Sequence, residues 1–331
     1  MSQPAAGGTV QYAVRHVTHF TYSVAISESV MEARMRPRTG GAQHTLRFDL
    51  TTTPRARVFS YHDPLGNVVN HFDVPIRHVR LSIVAEAIVE SGAVPEPPDA
   101  LSDDAWDALD AAAARGERLE FLASSRFARE TPLLADLARE LHVDRRSDPL
   151  TLLRQLTSAL SGSIAYVPQS THVDSSIDDA LRARAGVCQD FAHIMTALVR
   201  RCGIPCRYVS GYLAPSEGVP DRSSSSAATH AWVDAWLPGL GWIGLDPTNA
   251  MLAGPRHLVV AVGCDYGDVP PTRGIYKGEA RSHLAVSVTV TPSALARRVE
   301  ASPMVSWPPP ESVDASAEEA ARLQEQQQQQ Q

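Results

Sequence analysis

The sequence predicts an α+β protein, with an all-β domain first and a mixed helix-and-sheet core after it. Three observations carry this expectation. Residues 9–90 hold runs rich in β-branched and aromatic residues with polar/apolar alternation and no evident helix. A Pro-rich acidic stretch, "SGAVPEPPDALSDD" at 91–104, then ends that pattern. Beyond it the apolar period becomes helical, and strand-like runs return after Gly203.

The elements follow in order. Residues 1–8 are small and read as a flexible start. "TVQYAVRHVTHFTYS", "HTLRFDLTT" and "VRLSIVAEAIVE" read as strands, and "YHDPLGNVVNHFDV" carries Asp-Pro and Gly-Asn where a hairpin would turn. After the linker and irregular or helical segment at 91–130, Thr131-Pro132 and Asp148-Pro149 each offer an N-cap followed by proline at the first helical position. "SSIDDALRARAG" is a short capped helix. A longer helix runs from Cys188 to about Cys202 and stops at Gly203, with Pro205 just beyond. "CRYVSGYLA", "THAWVDAWL", "GWIGLDPT", "RHLVVAVG" and "RSHLAVSVTVTP" complete a core assigned to 131–291. A Gly/Ser/Pro loop lies between the first two of these strands. Residues 292–331, ending in polyglutamine, read as a disordered tail.

Bulk properties narrow the function. The net charge of −7 and the lack of a basic stripe with interleaved aromatics argue against a nucleic-acid partner. The basic pairs Arg145-Arg146 and Arg200-Arg201 read as solvated helix ends. No apolar run approaches the ~18 residues of a membrane span, and the first residues carry no basic leader before an apolar run. A cytoplasmic protein with reduced cysteines is expected, since the four (188, 202, 206 and 264) show no disulfide framework.

Chemistry concentrates in three residues. Cys188 opens a helix, where the partial positive charge favours a thiolate. His230 lies in "THAWVDAW", and Asp246 closes the next strand, sixteen residues on, a spacing that suits one antiparallel hairpin. Nucleophile, base and orienting carboxylate is the arrangement of covalent acyl transfer. Cys188 alone would read as a buried structural thiol; the three together read as a site.

These residues also carry a resemblance. "GVCQDFAHIMTALVRRCGIPCRYVSGYL", "THAWVDAWLPGLGWIGLDPTN" and "VGCDYGDVPPTRGIYKG" resemble the bacterial transglutaminase-like cysteine enzymes, and "VRHVTHFTYS" with "DPLGNVVNHFDV" resembles the β domain preceding the core in one branch of that family. The resemblance covers about residues 10–291. It implies a papain-like α+β core, with the cysteine helix packed on an antiparallel sheet. Cys188 would be the nucleophile, His230 the base and Asp246 its partner. The substrate would be a protein or peptide glutamine amide, or a peptide or isopeptide bond. A protease or amidase with the same triad and a non-catalytic peptide-binding scaffold are the alternatives; an arylamine acetyltransferase-type carrier ranks below both. Many relatives carry arginine where this chain has Cys264.

No cofactor is expected, no carboxylate loop suggests calcium, and oligomeric state is not readable. Cys202 and Cys206 are a weak zinc signal without a second ligand pair, and His16 and His19 fall on opposite faces of a strand. His193 and Asp190 read as a packed histidine and a first-turn acid. Trp232, on the strand face of His230, is a candidate wall of the site. Tyr166 and Gln169 are candidates for a second oxyanion donor, and Asp265, Tyr266 and Arg273 for the cleft border.

Overall fold

The computed structural model describes residues 9–145, 148–216 and 229–292. The predicted flexible start, Arg146, most of the Gly/Ser/Pro loop and the tail lie outside them, apart from Pro292, which ends a strand.

Six strands form first: β1 (Val10–Ile26), β2 (Glu28–Ala33), β3 (Gln43–Thr53), β4 (Phe59–His62), β5 (Val68–Val74) and β6 (His78–Ser91). The β4–β5 turn is the predicted one. Asp63 accepts the Leu65 and Asn67 amides at 3.0 and 2.9 Å, and Gly66 takes φ +74°, a left-handed geometry that glycine adopts without a Cβ penalty. Five helices follow among the described residues: α1 (Ala105–Ala114), α2 (Pro132–Glu140), α3 (Pro149–Ser163), α4 (Ile177–Ala183) and α5 (Cys188–Arg201). The Thr131 and Asp148 side chains accept amide protons from the first turns of α2 and α3. Two-residue strands β7 (Ala165–Tyr166) and β8 (Ala185–Gly186) pair in parallel just before α5. The remaining strands are β9 (Cys206–Leu213), β10 (Thr229–Leu237), β11 (Gly241–Asp246), β12 (Met251–Leu252), β13 (His257–Gly263), β14 (Thr272–Lys277) and β15 (Ser282–Pro292).

The core sheet is antiparallel in the order β12-β11-β10-β9-β13, and α5 packs on β9 and β10. This is the α+β arrangement read from the sequence. The boundary read from it needs correction. β14 and β15, assigned to the core, instead extend the N-terminal sheets, which run β15-β1-β6-β3 and β14-β2-β5-β4. The reason is pairing: β1 is long enough to take β6 on one side and β15 on the other, with Tyr12 to Tyr22 opposite Pro292 to Ser282. The core is thus inserted between strands of one β unit, whose interior includes Ile26, Met31, Phe72, Leu81 and Ile83.

The β unit also seals the edge of the core sheet. Gln43 donates to the Val259 carbonyl (2.9 Å) and accepts the Val259 amide (2.8 Å). Asn67 does the same at Val262, at 2.8 Å each way. Two side-chain amides thus replace a strand along β13, satisfying groups that an open edge would expose. Arg200 is a second correction. It is buried rather than solvated, and its guanidinium donates to the carbonyls of Ala123, Cys206 and Cys264. It clamps three segments at the far end of α5.

Candidate active site

Cys188 is the first residue of α5 and is half-buried. The residue before it, Val187, is extended, and its amide donates to the Asp190 carboxylate at 2.8 Å. Asp190 also accepts the Thr171 hydroxyl at 2.5 Å. Burial pushes this carboxyl up, while the Thr171 and Val187 hydrogen bonds oppose the rise. A Cβ on Gly186 would stand 2.9 Å from Asp190, so glycine there is what lets the acid fold back over the helix start. Gln189 donates to the Val173 carbonyl at 3.1 Å, fastening the preceding segment to the same turn.

His230 is the second residue of β10 and Asp246 ends β11, on the hairpin the spacing predicted. The two are 4% and 0% exposed, so water does not compete for their contact. His230 Nε2 lies 2.8 Å from Asp246 Oδ2. Nε2 is committed to Asp246, Nδ1 has no hydrogen-bond partner among the described residues, and the Cys188 thiol acts on the ring. Burial alone would favour the neutral imidazole. The Asp246 carboxylate and, after it, Cys188 outweigh burial and raise the His230 pKa. Burial likewise pulls Asp246 upward, but its two histidine contacts hold it well below the usual carboxylate range. Asp246 Oδ1 accepts the backbone amides of Thr248 (3.0 Å) and Asn249 (3.2 Å), and Oδ2 also accepts the Asn249 side-chain amide at 2.7 Å.

A residue the sequence reading missed joins this group. His257, at the start of β13, places Nε2 3.1 Å from the same Asp246 oxygen. Its only sequence signal is a lone histidine opening an apolar strand, and nothing local reveals that the chain crosses the sheet to bring it back. His230, Asp246 and His257 lie close enough to hold a metal ion. The donor set argues otherwise. The Gly254 amide donates to His257 Nδ1 at 3.1 Å, so a neutral His257 carries its hydrogen on Nε2, where a metal would need a lone pair.

Trp232 is 1% exposed and stacks on His230, with ring centroids 6.1 Å apart and planes at 27°. It does wall the histidine. Gly211 makes room for it, since a Cβ there would come within 2.5 Å of the indole and 2.3 Å of the Leu258 carbonyl. Tyr166 is opposite Gly186 in the β7–β8 pair, two residues before Cys188. Burial, with the Cys188 sulfur nearby, pushes its hydroxyl up to about 12, so it remains a donor. A cleft of about 530 Å³ opens on this side, lined by Ser161, Ile164, Ala165, Tyr166 and Arg184 among others.

Other expectations fare differently. Gln169 sits in an exposed turn at φ +61°, and among the described residues no hydrogen bond joins it to Cys188. Asp265 does not face a substrate: its oxygens accept the Phe127 amide (2.9 Å) and the Gly267 amide (2.8 Å). The Tyr266 amide donates to His193 Nε2 at 3.2 Å, and its ring lies edge-on to Phe127 and Tyr208. Arg273 is exposed on β14 opposite Glu32, within the β unit rather than on the cleft. Short loops whose polar groups satisfy one another look, as sequence, like loops that reach for a ligand.

Comparison with known proteins agrees with this fold. Residues 135–247 match the transglutaminase-like superfamily, and residues 12–90 match the bacterial transglutaminase-like N-terminal region. An uncharacterized protein of Mycobacterium tuberculosis (strain ATCC 25618 / H37Rv) is 36% identical over 299 residues, covering 86% of this chain and 94% of its own. One from Mycobacterium leprae is 33% identical over 278 residues, covering 84% and 97%. A protein-glutamine gamma-glutamyltransferase of Pseudomonas aeruginosa is 33% identical over 121 residues, 35% of this chain and 17% of that protein. A Cytophaga hutchinsonii crystal structure, assigned as a candidate cysteine protease, superposes with a TM-score of 0.64 at 22% identity over 86% of this chain and 91% of that one. The last likeness is one of fold.

Proposed function

Because the chain belongs to the bacterial transglutaminase-like family, we propose that it is a cysteine acyl-transfer enzyme acting through Cys188, His230 and Asp246. The observation that carries this reading is a half-buried thiol at a helix N-terminus, interacting with an imidazole that a buried carboxylate holds at 2.8 Å. Helix and imidazolium both favour the thiolate.

The thiolate attacks the carbonyl carbon of a glutamine side-chain amide in a protein or peptide. The resulting oxyanion takes a hydrogen bond from the Cys188 backbone amide, with the Tyr166 hydroxyl as second donor. The C–N bond breaks, ammonia leaves with the proton from His230, and a thioester remains on Cys188. An incoming amine or water gives its proton to His230 and attacks the thioester, and the thiolate departs. Amine gives transglutamination; water gives deamidation or, on a peptide bond, proteolysis. The Pseudomonas relative's name favours a glutamine donor. The chemistry asks for no cofactor, and a cytoplasmic site with its four thiols free suits a reactive cysteine.

The test is mass spectrometry of glutamine-containing peptides incubated with the protein and a primary-amine probe, beside Cys188→Ala. Amine adducts on glutamine, formed only with Cys188 present, establish amine transfer. A one-dalton gain or a cleaved peptide moves the reading to hydrolysis. No peptide change, together with a Cys188 no more reactive than the other thiols, would leave a peptide-binding scaffold.

A further inference from the structure

We propose that His257 is a positioning residue for the reactive site, donating its Nε2 hydrogen to Asp246 so that the carboxylate presents Oδ2 to His230. The inference rests on the Cys188–His230–Asp246 reading above, and it extends that reading to a residue outside the matched stretch 135–247.

The tautomer follows from the hydrogen bonds. The Gly254 amide donates to Nδ1, which leaves the hydrogen on Nε2, 3.1 Å from Oδ2. The ring is 5% exposed, and the ionisable groups acting on it are Asp246, His230 and Arg256. Burial pulls its pKa below the ordinary value, more than Asp246 restores. A neutral donor suits the place. A second imidazolium would compete with His230 for the same oxygen, whereas a neutral N–H orients the carboxylate and leaves its charge to the other ring.

Packing fixes the donor. Trp232 lies edge-on to His257 at 5.2 Å and stacks on His230 at 6.1 Å, so one indole sets the separation of both rings. The chain between β12 and β13 crosses from one edge of the core sheet to the other. His257 stands where that crossing ends, and its bond to Asp246 ties the crossing back to β11. The strand it opens is held by Gln43 and Asn67 from the β unit. The three donors on Oδ2 therefore come from three separate places: β10, the turn after β11, and β13.

The experiment measures iodoacetamide alkylation of Cys188 by mass spectrometry from pH 5 to 9. The full-length chain is compared with His257→Leu and His257→Gln, and melting curves establish that each variant folds. Glutamine can place an N–H near the Nε2 position; leucine cannot. His257→Leu is expected to slow Cys188 by about tenfold to a hundredfold at pH 7, the scale of a hydrogen bond to a charged group, and to shift the pH profile. His257→Gln is expected to keep most of the native rate and profile. A folded His257→Leu with the native rate and profile overturns the proposal, as does a His257→Gln slowed as much as the leucine variant. If native Cys188 reacts no faster than the other thiols, the triad reading fails first and takes this one with it. Imidazole nitrogen NMR on the native protein needs no variant: a bare Nδ1 with protonated Nε2 on His257 near pH 7 is expected, and the opposite tautomer or a cation overturns the proposal.

Discussion

His230 and His193 are both buried, one on the sheet that α5 packs against and one on α5 itself, yet their surroundings drive them apart. His230 meets a buried carboxylate, and its pKa is raised. His193 stacks on Phe127 (5.2 Å, planes at 7°), packs against Tyr208 and accepts the Tyr266 amide. Burial pushes it down to about 4. Desolvation is common to both rings. The difference is the partner: an acceptor of negative charge keeps a proton on the ring, and a backbone donor requires a bare nitrogen. His193 is nearer the thiol in the chain, five residues on, yet the sequence already reads it as a packed histidine, and the partner is what sets His230 apart.

The sharpest way to break this contrast is to remove the charged ring. His230→Ala is expected to lower the alkylation rate of Cys188 at pH 7 by roughly 10²–10⁴-fold, the usual contribution of a positioned acid–base group. A rate within threefold of native would show that the helix end alone activates the thiol.

Gly211→Ala tests how the charged pair is sheltered. Its Cβ would collide with Trp232 and the Leu258 carbonyl. The overpacking is expected to cost about 1–3 kcal/mol in urea unfolding and to slow Cys188 as well, since Trp232 leans on both His230 and His257. Lost stability with unchanged Cys188 reactivity would separate the indole's packing from any effect on the rings.

The neutral ring gives a smaller, opposite signature. His193 is held neutral when folded, with a pKa of about 4 against 6.5 unfolded. Its contribution is complete above pH 6.5 and is lost as pH falls toward 4, at up to about 1.4 kcal/mol per pH unit. His16, also near 4 through burial, adds to the same window. His230 has the reverse sign: its contribution is present below 6.5 and is lost as pH rises through its raised value. His193→Gln should therefore flatten the fall in unfolding free energy between pH 6.5 and 4.5 by up to one proton, read from urea curves. An unchanged slope would place the acid sensitivity elsewhere.

The least effect is expected at Gln169. As Gln169 is exposed, its change to Ala should stay within ±0.5 kcal/mol, the range of ordinary surface substitutions, and leave Cys188 reactivity alone. A tenfold loss of amine transfer would restore it as a substrate contact.

Much of this was legible in the sequence because the signals are local. Thr131-Pro132, Asp148-Pro149, Gly203 and the Asp63–Asn67 turn fix element ends by their own backbone chemistry. Cys188 at a helix start and the His230-to-Asp246 spacing are short-range patterns as well. What escaped depends on pairing between distant residues. β15 alternates like any strand, and nothing within it says that β1 waits for it. Arg200 looks like a helix-end cation until the carbonyls of Ala123 and Cys264 are brought to it. His257 becomes part of the site only through the crossing from β12 to β13.

The return of β15 to β1 has a consequence for how the chain is made. From Tyr12 to Thr21, β1 has β6 as an early neighbour, but its other side, Tyr12 to Tyr22, waits for residues 282–292. During synthesis the whole core must leave the ribosome before that edge is covered. A nascent chain stalled short of residue 282 would carry a bare, partly apolar strand edge in search of any partner, and a core whose β unit is still unfinished.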